Sequence, residues 1–392
     1  DAAWRDFESA RNVLQQAQAR AGNDLSLKFE LLNVNSNIGH VLEARGQPAA
    51  AASAYRNALA LGRELVAANP VVNTDWASAL GNAHNNLGKL ALQRGDLAEA
   101  VAAYRADDAI EARLAAADPR NNDQRENMLR VRAILGRTLA LTGDVDAGIR
   151  DLQQAVDIAT RLIAIAPTQT GFQEKSALYL VQLSRLKRLH GDLPAARTLT
   201  TQALATLSVL TRQDPANVSW QQYDAEARSE QAAQSLARGQ AATARAQAQG
   251  AMNILQPLFA KQPDDRSLLL DTLAASLLLA DAGSDAPAAR QLREQAWKAT
   301  QSVKSGKDDP RLLALQVEAL LGLQKHAAAK PLIERLWNAG YRDPALLAIL
   351  RRARVDYPAN PAFTTRIAQI MQTDAGAPAP ATRAARTPDP KP

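Results

Sequence analysis

The stretch NNLGKLALQRGDLAEAVAAYR, residues Asn85–Arg105, contains the signals that decide the fold. Its turn pair Gly95-Asp96 separates two apolar stretches in which leucines and alanines recur at helical spacing. Gly88 lies before the turn, Ala100 lies after it, and Tyr104 follows one helical turn later. This order predicts two helices that cross closely at their small residues, with the tyrosine ring filling the space between them.

The same arrangement recurs with a period of 48 or 49 residues, which is set by five glycines: Gly46, Gly95, Gly143, Gly191 and Gly239. The positions seven before and five after each glycine are small: Gly39, Gly88, Gly136, Ser184 and Ala232, then Ala51, Ala100, Gly148, Ala196 and Ala244. The ninth position after each glycine is large in three repeats and smaller in two: Tyr55, Tyr104, Leu152, Thr200 and Ala248. A proline always follows 24 residues after the glycine: Pro70, Pro119, Pro167, Pro215 and Pro263. A period of this length indicates an array of helix pairs.

Each recurring residue type has a physical role. Glycine ends the first helix, because the left-handed conformation needed there causes no Cβ clash in glycine. Aspartate after the glycine caps the next helix, and proline ends that helix. The aspartates are Asp96, Asp144 and Asp192. Where Thr200 and Ala248 replace the large residue, we expect either that a neighbour such as Leu199 fills the space or that the two helices approach more closely.

The order of small residue, Gly-Asp, Ala, Tyr and Pro resembles the tetratricopeptide repeat. The usual repeat of that family has about 34 residues, whereas the intervals from glycine to proline and from proline to the next glycine are each about 24 residues here. Each helix is therefore about two turns longer than usual. We expect an all-α fold, a right-handed α-α superhelical solenoid of tetratricopeptide-like helix pairs.

The pattern divides the chain into five segments. Residues 1–22 look like the second helix of a truncated repeat, so we expect an N-terminal part of the protein to precede them. Residues 23–265 hold five long repeats, 266–343 hold irregular or shorter helix pairs, and 344–372 are expected to be C-terminal capping helices. Residues 373–392 are rich in alanine and proline and are expected to be disordered.

The residue types argue against catalysis. The chain has no cysteine, and its four histidines show no metal-ligand spacing. We find no phosphate-binding loop, dinucleotide fingerprint, hydrolase elbow or kinase motif. We therefore expect no enzyme activity, no cofactor and no metal in this chain. The carboxylates Asp107 and Asp108 are expected to lie on a solvated helix face.

Charge and hydropathy limit the partners and the compartment. The formal charge of +6 is spread along the chain, so no nucleic-acid partner is expected. The best apolar run, residues 268–280, is interrupted by Asp271 and is shorter than the ~20 residues of a membrane helix, so no membrane insertion is expected. A chain without cysteine suits either cytoplasm or periplasm, and we prefer the periplasm.

Polar residues on the first helices are the candidates for partner binding, because the resemblance implies that these helices line a concave groove. Positions 13, 9 and 6 before the turn glycine share one helix face. The candidates are Asn33, Asn37, His40, Asn82, Asn86, Lys89, Arg130, Arg137, Gln182, Arg185 and Arg188. Amides can bond a peptide backbone and cations can bond carboxylates, which favours a peptide or protein partner, an acidic one included. The alternative is that these residues only solvate the inner face.

Two sequence segments suggest the type of larger protein to which this chain belongs. RLAAADPRNNDQ (Arg113–Gln124) and LTRQDPANVSWQQ (Leu210–Gln222) resemble the repeat regions that follow the catalytic domain in bacterial Ser/Thr protein kinases. The resemblance covers about residues 25–265 and implies a non-catalytic sensor region of a signalling protein. The alternative is a structural scaffold that forms a homodimer and so dimerises a linked catalytic or DNA-binding domain.

We predict that joint substitution of Asn37, Asn86 and Arg137 by alanine weakens partner binding without unfolding the array, because all three belong to the candidate face. Affinity and circular dichroism of the triple variant check this. An unchanged affinity would remove the groove hypothesis.

Overall fold

A computed structural model describes residues 2–68, 73–303 and 305–375, which form seventeen α-helices and contain no β-strand. The expected all-α helical-repeat fold is confirmed. The chain divides into two compact units, here called unit 1 (residues 1–84 with 365–392) and unit 2 (residues 85–364). Pro70 and most of the Ala/Pro-rich tail lie outside the described residues.

The helices alternate in length with the repeat. Their bounds are α1 Ala2–Ala21, α2 Leu25–Ala44, α3 Pro48–Ala68, α4 Thr74–Gln93, α5 Leu97–Ala117, α6 Asn122–Leu141, α7 Val145–Ile165, α8 Thr170–Leu189, α9 Leu193–Gln213, α10 Val218–Ala237, α11 Ala241–Lys261, α12 Arg266–Ala282, α13 Ala286–Gln301, α14 Pro310–Gly322, α15 His326–Asn338, α16 Pro344–Arg352 and α17 Pro361–Ala375. From α2 to α11 the first helix of each pair has 20 residues and the second has 21. The later helices shorten to 13 residues in α14 and 9 in α16.

The five turn glycines adopt the left-handed conformation that the sequence predicts, with φ between +69° and +98°. The next amide then bonds back into the first helix, as Asp96 N–H does to the Ala91 carbonyl at 2.8 Å. The Asp96 carboxylate accepts the Glu99 amide at 3.1 Å and so caps α5. Asp144 and Asp192 cap α7 and α9 in the same way. Four of the second helices end two residues before their prolines: α5, α7, α9 and α11.

The residue pair at the helix crossing changes together along the array. A Cβ on Gly88 would lie 2.8 Å from the Tyr104 ring, so glycine makes room for tyrosine there. In the fourth repeat, where Thr200 replaces the large residue, the Ser184 hydroxyl bonds the Thr200 hydroxyl at 2.7 Å and the Ala196 carbonyl at 2.8 Å. The sequence-based expectation did not include this hydroxyl pair. It satisfies both buried groups and joins the two helices directly.

Unit 1 has its own small core. Leu32, Ala58, Leu65 and Ala83 are buried together, and Trp76 packs against them. Unit 2 contains a larger core with an unexpected composition, because it combines residues of α4–α7, such as Tyr104 and Leu139, with residues of α14–α16. Segments about 200 residues apart in sequence therefore fold against each other within unit 2.

Two turn glycines contribute to this long-range packing. A Cβ on Gly95 would lie 2.9 Å from the Asp308 carbonyl oxygen, and one on Gly143 would lie 3.1 Å from the Arg342 Cβ. The Arg342 amide donates to the Leu141 carbonyl at 2.7 Å. Leu346 and Leu350 of α16 share a core with helices α4–α7. The capping role of residues 344–372 stays a prediction.

The close helix crossing gives a stability prediction. A Cβ on Gly136 would lie 2.8 Å from the backbone oxygen of Gly148, so Gly136→Ala should lower the free energy of unfolding by about 1–3 kcal/mol. The matched control is Gly250→Ala in α11, where a Cβ would meet only the Arg228 side chain at 3.9 Å. This substitution should raise the free energy of unfolding by about 0.5–1 kcal/mol. Urea unfolding compares the two, and the same sign for both would contradict the close crossing.

Candidate binding cavity

The first helices of the pairs in unit 2 converge on one cavity of about 670 Å³. Its walls come from α4, α6, α8, α10, α12 and α14, and the segment of residues 341–349 completes them. The cavity size falls in the range of about 300–1,000 Å³ that is typical of small-ligand sites. The returning C-terminal segment of unit 2 is therefore part of the site.

The cavity combines apolar walls with charges of both signs. Leu92, Ile134, Leu270 and Leu315 belong to the apolar part. The charged lining residues are Lys89, Arg137, Arg185, Arg266, Arg311, Glu226, Asp271, Glu318 and Asp343. Such a site can bond a polar ligand at defined points while its apolar walls exclude water.

Four of the candidates from the sequence line the cavity: Lys89, Arg137, Gln182 and Arg185. Arg185 is already held within the chain, because its guanidinium donates to both oxygens of the buried Asp343 at 3.0 and 2.8 Å. Gln182 is half-buried, and its Oε1 has no hydrogen-bond partner in the described structure. Arg137 is exposed towards the cavity.

The other candidates of unit 2 lie outside the cavity lining. Arg188 donates to both oxygens of Glu230, at 2.8 and 2.9 Å. Burial raises the pKa of Asp107, and the charge of Arg130 lowers it by a smaller amount. Asn86 is half-buried on α4. Much of the predicted basic stripe is therefore engaged by carboxylates of the same chain.

The candidates of unit 1 are Asn33, Asn37, His40 and Asn82. Asn33 is half-buried, while Asn37, His40 and Asn82 are exposed. His40 Nδ1 lies 2.8 Å from the Tyr55 hydroxyl, which also donates to Glu43 at 2.6 Å. His40 thus has a structural contact in addition to its exposed edge.

The predicted solvated position of Asp107 is wrong. It was expected on a solvated face, yet it is fully buried, whereas Asp108 is only half-buried and pairs with Arg132 at 3.1 Å. Burial raises the pKa of Asp107 to about 7, although Arg130 and a hydrogen bond from Asn85 oppose the shift. Polarity alone does not mark the face of a second helix that packs on the next repeat.

Glu226 of α10 and Asp271 of α12 form a hydrogen-bonded carboxyl pair at the cavity. Burial is the main cause that raises the pKa of both groups, to about 6 for Asp271 and well above the ordinary value for Glu226. Glu318 of α14 is likewise raised to a pKa of about 8 by burial. Near neutral pH the cavity therefore holds protonated carboxyl groups among its cations.

Sequence reasoning missed the carboxyl pair. Asp271 was noted only as the residue that interrupts the apolar run of α12. A single acid within a buried helix is itself the available signal, because an unpaired buried charge is costly and needs a partner. Glu226 is that partner, and its position on the neighbouring first helix comes from the repeat packing.

The described residues give no support for a metal site or a membrane span. No group of three or more histidine, aspartate or glutamate side chains among them is arranged to hold a metal ion. None of the described helices is both long and apolar enough to cross a membrane.

Comparison with known proteins supports the repeat type. A family model described as tetratricopeptide repeat matches residues 81–106, and no curated protein matches the chain. The apo form of RapI aligns at a TM-score of 0.53 and 10% identity, covering 82% of this chain and 99% of that one. A tetratricopeptide repeat protein from Parabacteroides merdae aligns at 0.40 and 13% identity, covering 83% and 99%. Yeast Tom70 aligns at 0.41 and 14% identity, covering 95% and 62%. The similarity to RapI concerns the fold.

The Arg185–Asp343 pair should stabilise the returning segment. Arg185→Ala leaves the buried Asp343 carboxylate without the hydrogen bonds of its cation, so the free energy of unfolding should fall by about 1.5–3 kcal/mol. The control is Arg290→Ala, which removes an exposed pair with Glu294 and should cost less than about 0.5 kcal/mol. Urea unfolding measures both, and equal effects would argue against a structural role for the pair.

Proposed function

We propose that this chain is a binding module that recognises a peptide or protein segment on the inner face of its first helices. The observation that supports the proposal is the convergence of six first helices of unit 2 on one cavity with both polar and apolar lining. Helical-repeat proteins use such inner surfaces for recognition. No catalytic role is proposed for the chain.

The contacts narrow the chemistry of recognition. Arg130, Arg185 and Arg188 serve carboxylates of the same chain, so fewer cations remain for a partner than the sequence predicts. Arg137 and Gln182 are the candidates of unit 2 that best fit direct contact with a ligand. In unit 1 the exposed amides of Asn37 and Asn82 fit contact with a peptide backbone.

The phrases at residues 113–124 and 210–222 support a further proposal about context. We propose that the chain is the regulatory, non-catalytic region of a bacterial signalling protein such as a Ser/Thr kinase, located in the periplasm. The intact protein is then expected to carry a kinase domain and ~20 apolar residues before this chain. Sequencing of the intact gene tests this, and an upstream region without a kinase would reject it.

The alternative is a scaffold that dimerises a linked domain. The large apolar side chains that are exposed among the described residues, Val13, Ile165 and Val209, lie on three separate helices and do not adjoin in sequence. Sedimentation across concentration separates the two functions. A stable dimer favours the scaffold, and a monomer favours recognition.

A peptide library tests the recognition proposal. Dodecapeptides selected on the wild-type chain should bind at least about tenfold more weakly to an Arg137→Gln, Gln182→Ala double variant, because both residues line the cavity. The control, Arg197→Gln, alters an exposed arginine of a second helix and should leave affinity unchanged. Fluorescence anisotropy measures the affinities. Failure to select any peptide, or equal binding by the double variant, would reject the proposal.

A further inference from the structure

Several polar groups around the cavity of unit 2 lack a protein partner. Within the described part of the chain, Oε1 of Gln182 and Nη1 of Arg266 are buried without a hydrogen bond. Arg137 lines the same cavity with an exposed side chain, and its charge acts on Glu226. Buried polar groups are nearly always hydrogen-bonded, so a donor near Gln182 and an acceptor near Arg266 would complete the site. The exposed guanidinium of Arg137 can donate to a ligand carboxylate in the cavity.

The carboxyl pair Glu226–Asp271, by contrast, would be stabilised by a positively charged group. Glu226 and Asp271 bond each other through one proton, and the Gln222 amide donates to Asp271 at 2.6 Å. The charge of Arg137 lowers the pKa of Glu226. The charge of Arg311 lowers the pKa of Asp271, and the charge of Asp265 raises it. Arg311 is itself bound to both oxygens of Asp309. These cations do not offset the cost of burial, so the pair keeps its proton and would gain from a cation placed beside it.

Arg137 and the carboxyl pair Glu226–Asp271 line the same cavity, and the charge of Arg137 lowers the pKa of Glu226. An α-amino acid carries an ammonium and a carboxylate on one carbon atom, which matches this adjacency. A simple anion would leave the carboxyl pair without a cation, and a simple amine would leave Arg137 without an acceptor.

We propose that the cavity binds a small amphoteric ligand, an α-amino acid or a dipeptide with free ends, through Arg137 at its carboxylate and Glu226 with Asp271 at its ammonium group. Gln182 Oε1 accepts a further hydrogen bond from the ammonium. The inference rests on the proposed binding role of this cavity and names its ligand class. The ammonium keeps its own protons, and the proton that leaves the Glu226–Asp271 pair passes to the buffer.

Calorimetry tests the ligand class. The probes are the twenty free amino acids and glycylglycine, each titrated at pH 7 in phosphate and in Tris, which differ in ionisation enthalpy. At least one probe should bind, with release of up to about one proton per ligand. Its N-acetyl and its carboxamide derivatives should each bind at least about tenfold more weakly, because each lacks one of the two charges.

Variants assign the two contacts. Glu226→Gln should weaken binding and abolish proton release, whereas the control Glu334→Gln, at an exposed position of α15, should change neither. Arg137→Gln alters an exposed side chain and so should preserve folding. It should remove the preference for the free carboxylate over the carboxamide. This second variant keeps the test valid if Glu226→Gln fails to fold.

Three results would overturn the inference: no binding by any probe, equal binding by an N-acetyl derivative, or equal binding by a carboxamide. The first result together with successful selection of dodecapeptides would leave peptide recognition standing and reject only the small ligand. Binding of an amino acid without selection of any dodecapeptide would reject peptide recognition and retain the small ligand.

Discussion

The close crossing of two helices beside each glycine turn is the contact on which the other features depend. The Gly-Asp pair reverses the chain within a few residues, and small side chains such as Gly136 and Gly148 let the backbones approach. The pair then packs as one body, so the first helices of successive pairs present the same face in turn. Every wall of the cavity that belongs to a first helix follows from this geometry.

The later helices of unit 2 are shorter, and the chain there returns to pack on the earlier helices. Helices of 20 and 21 residues give way to helices of 13 and 9 residues, and the segment around Tyr341 packs against α4–α7. Contacts at Gly95, Gly143 and Leu141 fix this return. The returning segment narrows the inner face there and adds Tyr341, Asp343 and Leu346 to the lining of the cavity.

Several arginines of the first helices are paired with carboxylates of the same chain. Arginines are well suited to paired contacts with carboxylates, and Arg185 and Arg188 both use this geometry internally. Arg137 does not, and it lies at the cavity beside carboxyl groups that retain a proton. The proposed recognition therefore depends on groups such as Arg137 and Gln182 Oε1 rather than on the number of cations on the inner face.

The sequence by itself determined the helix pairs, because the turn glycines, capping aspartates and helix-ending prolines act on residues near them in the chain. It also placed Lys89, Arg137, Gln182 and Arg185 on the faces that line the cavity. Only the tertiary structure decided that Arg185 would pair with Asp343, that Asp107 would be buried and that Glu226 would hydrogen-bond to Asp271. These contacts join residues up to 158 positions apart. A local pattern cannot specify them, since they depend on how distant helices of unit 2 pack against each other.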